Sequence, residues 1–252
     1  MMMMMNEINE TTYNVRQTTG TNRYRITLPK QLLADYGIEE SLEMGFRAEF
    51  AEDGELTLVY TTNTDEAQKT LTLSLSNTGV VSIPSVFATA VEIGGAPLVW
   101  KAKETLSGHV EFRGQTSIEL PELVTGRGKL IDHSPLDWRE QTDVKHDGKT
   151  WSQEQFRHYM TKSAREELGW EVNQSVCVGV SHKAGRPALV FEPVSEDQLV
   201  PENLLKTAGV SSQTQMDAML YVPNDIVRSL GLVEQPLMWL DDEGSLLAVL
   251  AD

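Results

Sequence analysis

Residues 24–38 read YRITLPKQLLADYGI, a short β-rich run followed by a proline, two turns of helix and a glycine. Proline suits the first position of a helix, because its missing N–H would have no partner there. The glycine eight residues later can adopt the left-handed conformation that ends a helix. The segment therefore predicts a strand followed by a short helix with defined ends.

The same pattern occurs three more times along the chain. The related segments are residues 80–93 (VVSIPSVFATAVEI), 158–170 (HYMTKSAREELGW) and 219–232 (MLYVPNDIVRSLGL). The second copy has Glu92 where the others have glycine, and the third has Thr161 where the others have proline. After each helix, two β-rich runs flank a glycine-containing turn, which predicts a hairpin. The chain is therefore predicted to hold four β–β–α–β–β repeats.

The second and fourth copies agree best. Residues 97–100 read PLVW and begin 13 positions after Pro84, and residues 236–239 read PLMW and begin 13 positions after Pro223. This agreement at the same offset indicates that a pair of repeats was itself duplicated. Repeats one and two then form the first unit, and repeats three and four form the second.

These repeats resemble the AbrB/SpoVT family of swapped-hairpin β-barrels, in which two units interleave their hairpins into one barrel, usually as a homodimer. The resemblance covers residues 12–60, 71–112, 143–191 and 204–250. It implies a mainly β fold with short helices, arranged as two tandem swapped-hairpin barrels that are each an intrachain pseudodimer. The expected divisions are a disordered N-terminus at 1–11, a first barrel at 12–112, a linker at 113–142 and a second barrel at 143–252.

The composition restricts the compartment in which the protein works. The single cysteine rules out an internal disulfide, no secretory signal is evident, and no apolar run approaches the roughly 18 residues that cross a bilayer. We therefore expect a cytoplasmic protein without a membrane segment. There are 37 acidic against 21 basic residues, and lysine is scarce. Acidic surfaces stay hydrated in salt, so a halophilic archaeon is one hypothesis for the source, and an ordinary acidic protein is the alternative.

One basic stretch interrupts this acidic chain. Between Thr11 and Ala34 there is no acidic residue, and the four basic ones are Arg16, Arg23, Arg25 and Lys30. The family resemblance implies double-stranded DNA as the partner and these four residues as its contacts. Arginine and lysine bind phosphates, and arginine can also read guanine; Lys30 follows Pro29 at a helix N-terminus, which favours anions. The bland alternative is a solvated strand that happens to lack acids.

The other repeats carry few basic residues before their hairpins, so a symmetric DNA footprint would need two chains, each offering repeat one. That reasoning predicts a homodimer. The rival interpretation is a non-enzymatic protein-interaction scaffold, or an antitoxin-like adaptor whose repeats have lost DNA contacts. An exposed apolar patch around Trp100, Trp239 or Met238 would favour a protein partner, whereas aromatic residues in a barrel core would not.

Nothing in the sequence predicts an enzyme. Cys177 lies in an apolar run that is typical of a buried strand, where a thiol is inert. No two of the five histidines are four residues apart, and residues 126–129 (GRGK) lack the spacing of a phosphate-binding loop. We expect no catalytic residue, no metal site and no cofactor. The sequence therefore predicts a DNA-binding transcription regulator.

Overall fold

A computed structural model describes residues 13–17, 23–64, 71–123, 129–146, 149–172, 174–195, 205–209, 211–212 and 217–251. Antiparallel strands make up most of this described chain, and the helices have six residues each. The prediction of a mainly β fold with short helices is confirmed. The predicted disordered segment at residues 1–11 lies outside the described residues.

The first half contains the elements of repeats one and two. They are β1 (Tyr13–Asn14), β2 (Arg16–Gln17), β3 (Tyr24–Thr27), α1 (Lys30–Asp35), β4 (Leu42–Phe50), β5 (Glu55–Thr61), β6 (Leu71–Leu75), β7 (Val80–Ile83), α2 (Ser85–Ala90), β8 (Pro97–Glu104) and β9 (Val110–Glu119).

The second half repeats this order with longer strands before its first helix. Its elements are β10 (Lys129–His133), β11 (Asp137–His146), β12 (Lys149–Thr161), α3 (Lys162–Glu167), β13 (Ser175–Lys183), β14 (Arg186–Val194), β15 (Leu205–Gly209), β16 (Ser211–Ser212), β17 (Asp217–Val222), α4 (Asn224–Ser229), β18 (Leu237–Asp242) and β19 (Ser245–Leu250).

The two repeats of the first half complete each other's sheet. The strand order is β1-β8-β9-β5-β4-β6, so the hairpins β4–β5 and β8–β9 meet through β5 and β9 at the centre. At the edges, β1 of repeat one pairs with β8 of repeat two, and β6 of repeat two pairs with β4 of repeat one. A second sheet, β2-β3-β7, also combines strands of both repeats.

The second half has the equivalent sheets, β10-β18-β19-β14-β13-β15 and β11-β12-β17-β16. Here β10 takes the edge position that β1 takes in the first half. The segment predicted as the linker, residues 113–142, contains the end of β9, all of β10 and the start of β11. The pairing of β10 with β18 covers an edge that would otherwise be unpaired.

Each helix starts just after the residue predicted to be its first. Pro29, Pro84 and Pro223 are N-caps with φ between −59° and −54° and ψ between 124° and 130°. In the third copy, the Thr161 hydroxyl accepts a hydrogen bond from the Ala164 N–H. A side-chain acceptor thus replaces the fixed φ of proline as the device that starts this helix.

All four helices end in the same way. In repeat one Gly37 has φ +68°, its N–H donates to the Ala34 carbonyl, and the Ile38 N–H donates to the Leu33 carbonyl. These two bonds define a Schellman motif. Glu92 of repeat two adopts φ +50° and keeps both bonds, although it is not a glycine.

Buried residues of both halves form one large hydrophobic cluster. Trp100 and Trp239 both belong to it, with 4% and 0% of their surface exposed. Each faces a small residue across its hairpin, Gly114 opposite Trp100 and Ala248 opposite Trp239. Of the two alternatives for these tryptophans, an exposed patch and the core, both occupy the core.

The halves also touch through two hairpin turns. A Cβ added at Gly54, in the β4–β5 turn, would lie 2.5 Å from Nε2 of His182 in β13. A Cβ added at Gly185, in the β13–β14 turn, would lie 3.2 Å from the backbone of Ala51. Glycine at both turns therefore permits the close approach. Within the described residues, no helix is long and apolar enough to cross a membrane.

Candidate nucleic-acid interface

The outer face of the β2-β3-β7 sheet carries two of the predicted site residues. In β3, Tyr24 and Ile26 are buried while Arg25 between them is exposed, because successive strand residues point to opposite faces. Arg16 of β2 lies directly opposite Arg25 in the antiparallel register and is also exposed. The structure therefore brings Arg16 and Arg25 together on solvent.

Ser82 of β7 lies opposite Arg25 on the other side, so Arg16, Arg25 and Ser82 form a row across the three strands. The Leu28 N–H donates to the Gly79 carbonyl, and hydrogen-bonded pairs alternate along an antiparallel ladder. Arg25 and Ser82 are consequently a non-hydrogen-bonded pair, the kind whose Cα atoms approach to about 4.5 Å. We call Arg16, Arg25 and Ser82 the open row, because Ser82 is exposed as well.

Two like charges directly opposite each other destabilise a sheet. Within the described chain, no ion pair reaches any of the four basic residues predicted from the sequence. Their absence from these pairs matters in a protein with a net charge of −16, since acidic partners are abundant elsewhere. The open row is thus a place where a bound anion would relieve repulsion.

A shallow cavity of about 340 Å³ lies beside the open row. Its lining residues are Arg23, Tyr24, Arg25, Ser82, Ile83, Pro84 and Ser85. Guanidinium groups make bidentate, charge-assisted hydrogen bonds with phosphate oxygens, and serine hydroxyls can add further hydrogen bonds. The cavity therefore suits a phosphate group and brings Arg23 next to Arg25.

Lys30 stands apart from this cavity. It is the first residue of α1 and is exposed, but it is not among the lining residues. The structure thus places Arg16, Arg23 and Arg25 around one surface, with Lys30 outside the cavity. Sequence reasoning missed Ser82 and Ser85, which come from repeat two; only the pairing of β3 with β7 brings them to the arginines.

The arginine of the second half that is equivalent to Arg25 is buried. Arg157 lies four residues before the cap Thr161, as Arg25 lies four before Pro29, but it is only 8% exposed. Its guanidinium carbon sits 5.2 Å from the centroid of the Tyr221 ring, which is its partner across β12 and β17. Arg157 is therefore engaged within the chain.

Arg228 of α4 is also used internally. It is 6% exposed, its guanidinium carbon lies 5.7 Å from the centre of the Phe156 ring, and its Nε donates to Oδ1 of Asn224 at 2.9 Å. Arg157 and Arg228 of the second half are therefore both buried and both in contact with an aromatic ring. The contrast with the exposed arginines of repeat one is a difference in side-chain environment as well as in sequence.

Another group of cations lies on β4, β8 and β9 and is fully paired. Arg47 Nη2 lies 2.8 Å from Oε1 of Glu111, and Lys103 Nζ lies 3.0 Å from its Oε2. Arg113 forms ion pairs with Glu49 and Glu111. These cations neutralise the partly exposed Glu49 and the buried Glu111, so they do not form an anion site.

These contacts change how the acids ionise. Burial alone would raise the pKa of Glu49, but the hydrogen bond from Arg113 and the charges of Arg113 and Arg47 hold it below its ordinary value. Burial likewise opposes ionisation of Glu111, and hydrogen bonds from Arg47 and Lys103 lower its pKa. Both groups are thus stabilised as carboxylates in the folded state.

The groups considered for other chemistry are buried. Cys177 has no exposed surface, in agreement with the expected buried strand. Among the described residues, no set of three histidine, cysteine or acidic side chains could hold a metal ion. Because Trp100 and Trp239 are in the core, neither contributes to an exposed apolar patch. Met238 is partly buried.

Comparison of the chain with protein-family models, curated proteins and solved structures finds no match in any of the three.

Proposed function

We propose that the protein is a DNA-binding transcription regulator of AbrB/SpoVT type, which contacts double-stranded DNA mainly through repeat one. The observation that carries the proposal is the exposed juxtaposition of Arg16 and Arg25, which form no ion pair with any described residue, in a strongly acidic chain. Arg23 adds a third guanidinium at the adjacent cavity. Lys30 is a further contact at the start of α1.

Phosphate binding is the chemistry that this surface supports best. The DNA backbone supplies closely spaced negative charges, and neutralising them releases counterions, which drives association. Three arginines near one another can each take a phosphate oxygen, and an arginine that reaches the major groove can pair with guanine. The paired cations on β4, β8 and β9 contribute to neither role.

The fold supports the same assignment. Strands exchanged between repeats, β1 onto β8 and β6 onto β4, are what interleaved hairpins require. The same exchange recurs in the second half through β10 and β15. We propose that each half is a swapped-hairpin barrel and an intrachain pseudodimer. A homodimer would then present two open rows to a symmetric site on DNA in the cytoplasm.

The experiment is a binding titration with fluorescently labelled, mixed genomic duplex fragments at low salt, followed by anisotropy. The wild-type protein is expected to bind, and Arg23→Ala/Arg25→Ala is expected to bind much more weakly. Absence of wild-type binding at low salt would overturn the proposal and favour a protein-interaction scaffold or adaptor. Light scattering of the complex, which should hold two chains per duplex site, tests the homodimer.

A further inference from the structure

The two halves build the same three-strand row from different residues. In the first half the row is Arg16, Arg25 and Ser82, read across β2, β3 and β7. In the second half, β11, β12 and β17 place Asp137, Arg157 and Tyr221 at the corresponding register positions. We call this second set the closed row.

The correspondence is fixed by backbone register. Arg25 and Arg157 each lie four residues before a helix cap, and Ser82 and Tyr221 each lie two residues before one. Arg25 pairs with Ser82 just as Arg157 pairs with Tyr221. The two arginines therefore occupy equivalent backbone positions, one exposed and one buried.

We infer that the residue across the sheet from each arginine, Ser82 or Tyr221, decides whether that arginine is available to an anion. This inference rests on the proposed function for its DNA readout. Serine is too short to cover Arg25 and leaves it exposed, whereas the Tyr221 ring lies against the Arg157 guanidinium. A guanidinium held over a ring and withdrawn from water has less to gain from a phosphate.

The remaining residue of each row, Arg16 or Asp137, changes the attraction for anions in the same direction as Ser82 or Tyr221 does. Arg16 beside Arg25 adds a second positive charge, so the open row attracts anions. Asp137 at the matching position gives the closed row an acidic residue instead, and the formal charge of the closed row is zero. Of these two rows, the open row therefore carries a net positive charge and an exposed arginine, and the closed row carries neither.

Arginine labelling tests the inference without DNA. The probe is phenylglyoxal, which modifies accessible guanidinium groups, with the modified positions read by mass spectrometry. In wild type, Arg25 should react faster than Arg157. Ser82→Tyr should slow Arg25 by about fivefold or more, the size expected when a guanidinium is desolvated against a ring. Tyr221→Ser should accelerate Arg157 by a similar factor.

Controls separate this effect from general damage. Ser107→Tyr adds the same ring at an exposed turn of the first half and should leave Arg25 labelling unchanged. Ser82→Ala should also leave it unchanged, because it adds nothing that covers the guanidinium. Unaltered thermal unfolding of Ser82→Tyr would show that the fold is intact. Arg25 labelling in Ser82→Tyr at the wild-type rate would overturn the inference.

A DNA titration completes the test. Ser82→Tyr should weaken duplex binding and make the slope of log K against log salt shallower by about 1, the loss of one phosphate contact. Wild-type DNA binding with no change in Ser82→Tyr would contradict the inference while leaving the proposed function in place. Failure of wild type to bind DNA would contradict the proposed function, and the labelling result would still decide the role of Ser82.

Discussion

The imidazole of His158 lies parallel to the indole of Trp239, with ring centroids 3.6 Å apart and an interplanar angle of 11°. His158 is 1% exposed, and neither ring nitrogen has a hydrogen-bond partner among the described residues. The equivalent position of repeat one, three residues before the cap, is the buried Ile26. A histidine therefore occupies a position that another copy fills with an aliphatic side chain.

Burial lowers the pKa of His158 to about 4, and the nearby charge of Asp132 offsets only part of this effect. The unfolded chain takes up a proton near pH 6.5, so between pH 6.5 and 4 the unfolded state binds more protons than the folded state. Stability should be greatest above pH 6.5 and fall by on the order of 3 kcal/mol as the pH drops to 4.

His158→Ile should remove most of this pH dependence, as measured by urea unfolding at intervals from pH 7.5 to 4. The control His133→Gln alters an exposed histidine and should show the same pH dependence of stability as wild type. If the free energy of unfolding of His158→Ile fell with pH as steeply as that of wild type, other groups would be the cause of the acid sensitivity.

Glu92 provides a second prediction, because it holds a left-handed conformation that the other three helix ends assign to glycine. A non-glycine residue in this region costs about 1–2 kcal/mol. Replacement by glycine removes this cost, but glycine loses more conformational freedom on folding, which offsets part of the gain. Glu92→Gly should therefore raise the free energy of unfolding by about 1 kcal/mol.

The reciprocal variant is Gly37→Ala, where an added Cβ meets no atom within 4 Å. It should lower the free energy of unfolding by about 1 kcal/mol through backbone strain alone. Chemical denaturation measures both variants. If both changes moved stability in the same direction, the assignment of strain to φ would be wrong.

Gly114 carries a third prediction, since a Cβ there would lie 3.0 Å from two ring carbons of Trp100. Gly114→Ala should destabilise the fold by about 1–3 kcal/mol through overpacking. Trp100→Phe in the Gly114→Ala background should recover part of the loss, because the smaller ring vacates the contact. Lys101→Ala, an exposed change in the same hairpin, should have little effect. Additive losses from Gly114→Ala and Trp100→Phe would contradict direct contact.

The ion pairs of Glu111 predict a different pH effect. Because its folded pKa is lowered, its contribution to stability is present above the ordinary glutamate range and is lost as the pH falls through the folded value. Glu111→Gln should destabilise at pH 7 by about 1–3 kcal/mol, the value of hydrogen bonds to a charged group. The difference from wild type should shrink below pH 4. A constant difference across this range in acid titrations of unfolding would refute the role of the charge.

Local spacing in the sequence predicts much of the fold. The recurring segment, which has a proline at three of its four starts and a glycine at three of its four ends, identifies the four helices. The matched PLVW and PLMW segments identify the tryptophan strands. The pairing of β10 with β18 could not be predicted, because the two strands lie more than 100 positions apart. The left-handed Glu92 was also missed, since backbone demands at a helix end override the residue preference there.

The candidate site was predicted only in part. A basic run without acids singled out the four cations, but the alignment of Arg16 with Arg25 depends on the register of β2 and β3. Ser82 could be added only once β3 and β7 were paired. The burial of Arg157 has no local signal, because the Tyr221 ring that it contacts lies 64 residues further along the chain.

The most direct test of the account is the salt dependence of duplex DNA binding by Arg16→Ala/Arg25→Ala. The control is Lys101→Ala/Lys183→Ala, which removes the same charge from two exposed lysines outside the β2-β3-β7 sheet. The account predicts that only the arginine variant makes the slope of log K against log salt shallower, by about 2. Equal losses in both variants would contradict it, because net charge alone would then explain the binding.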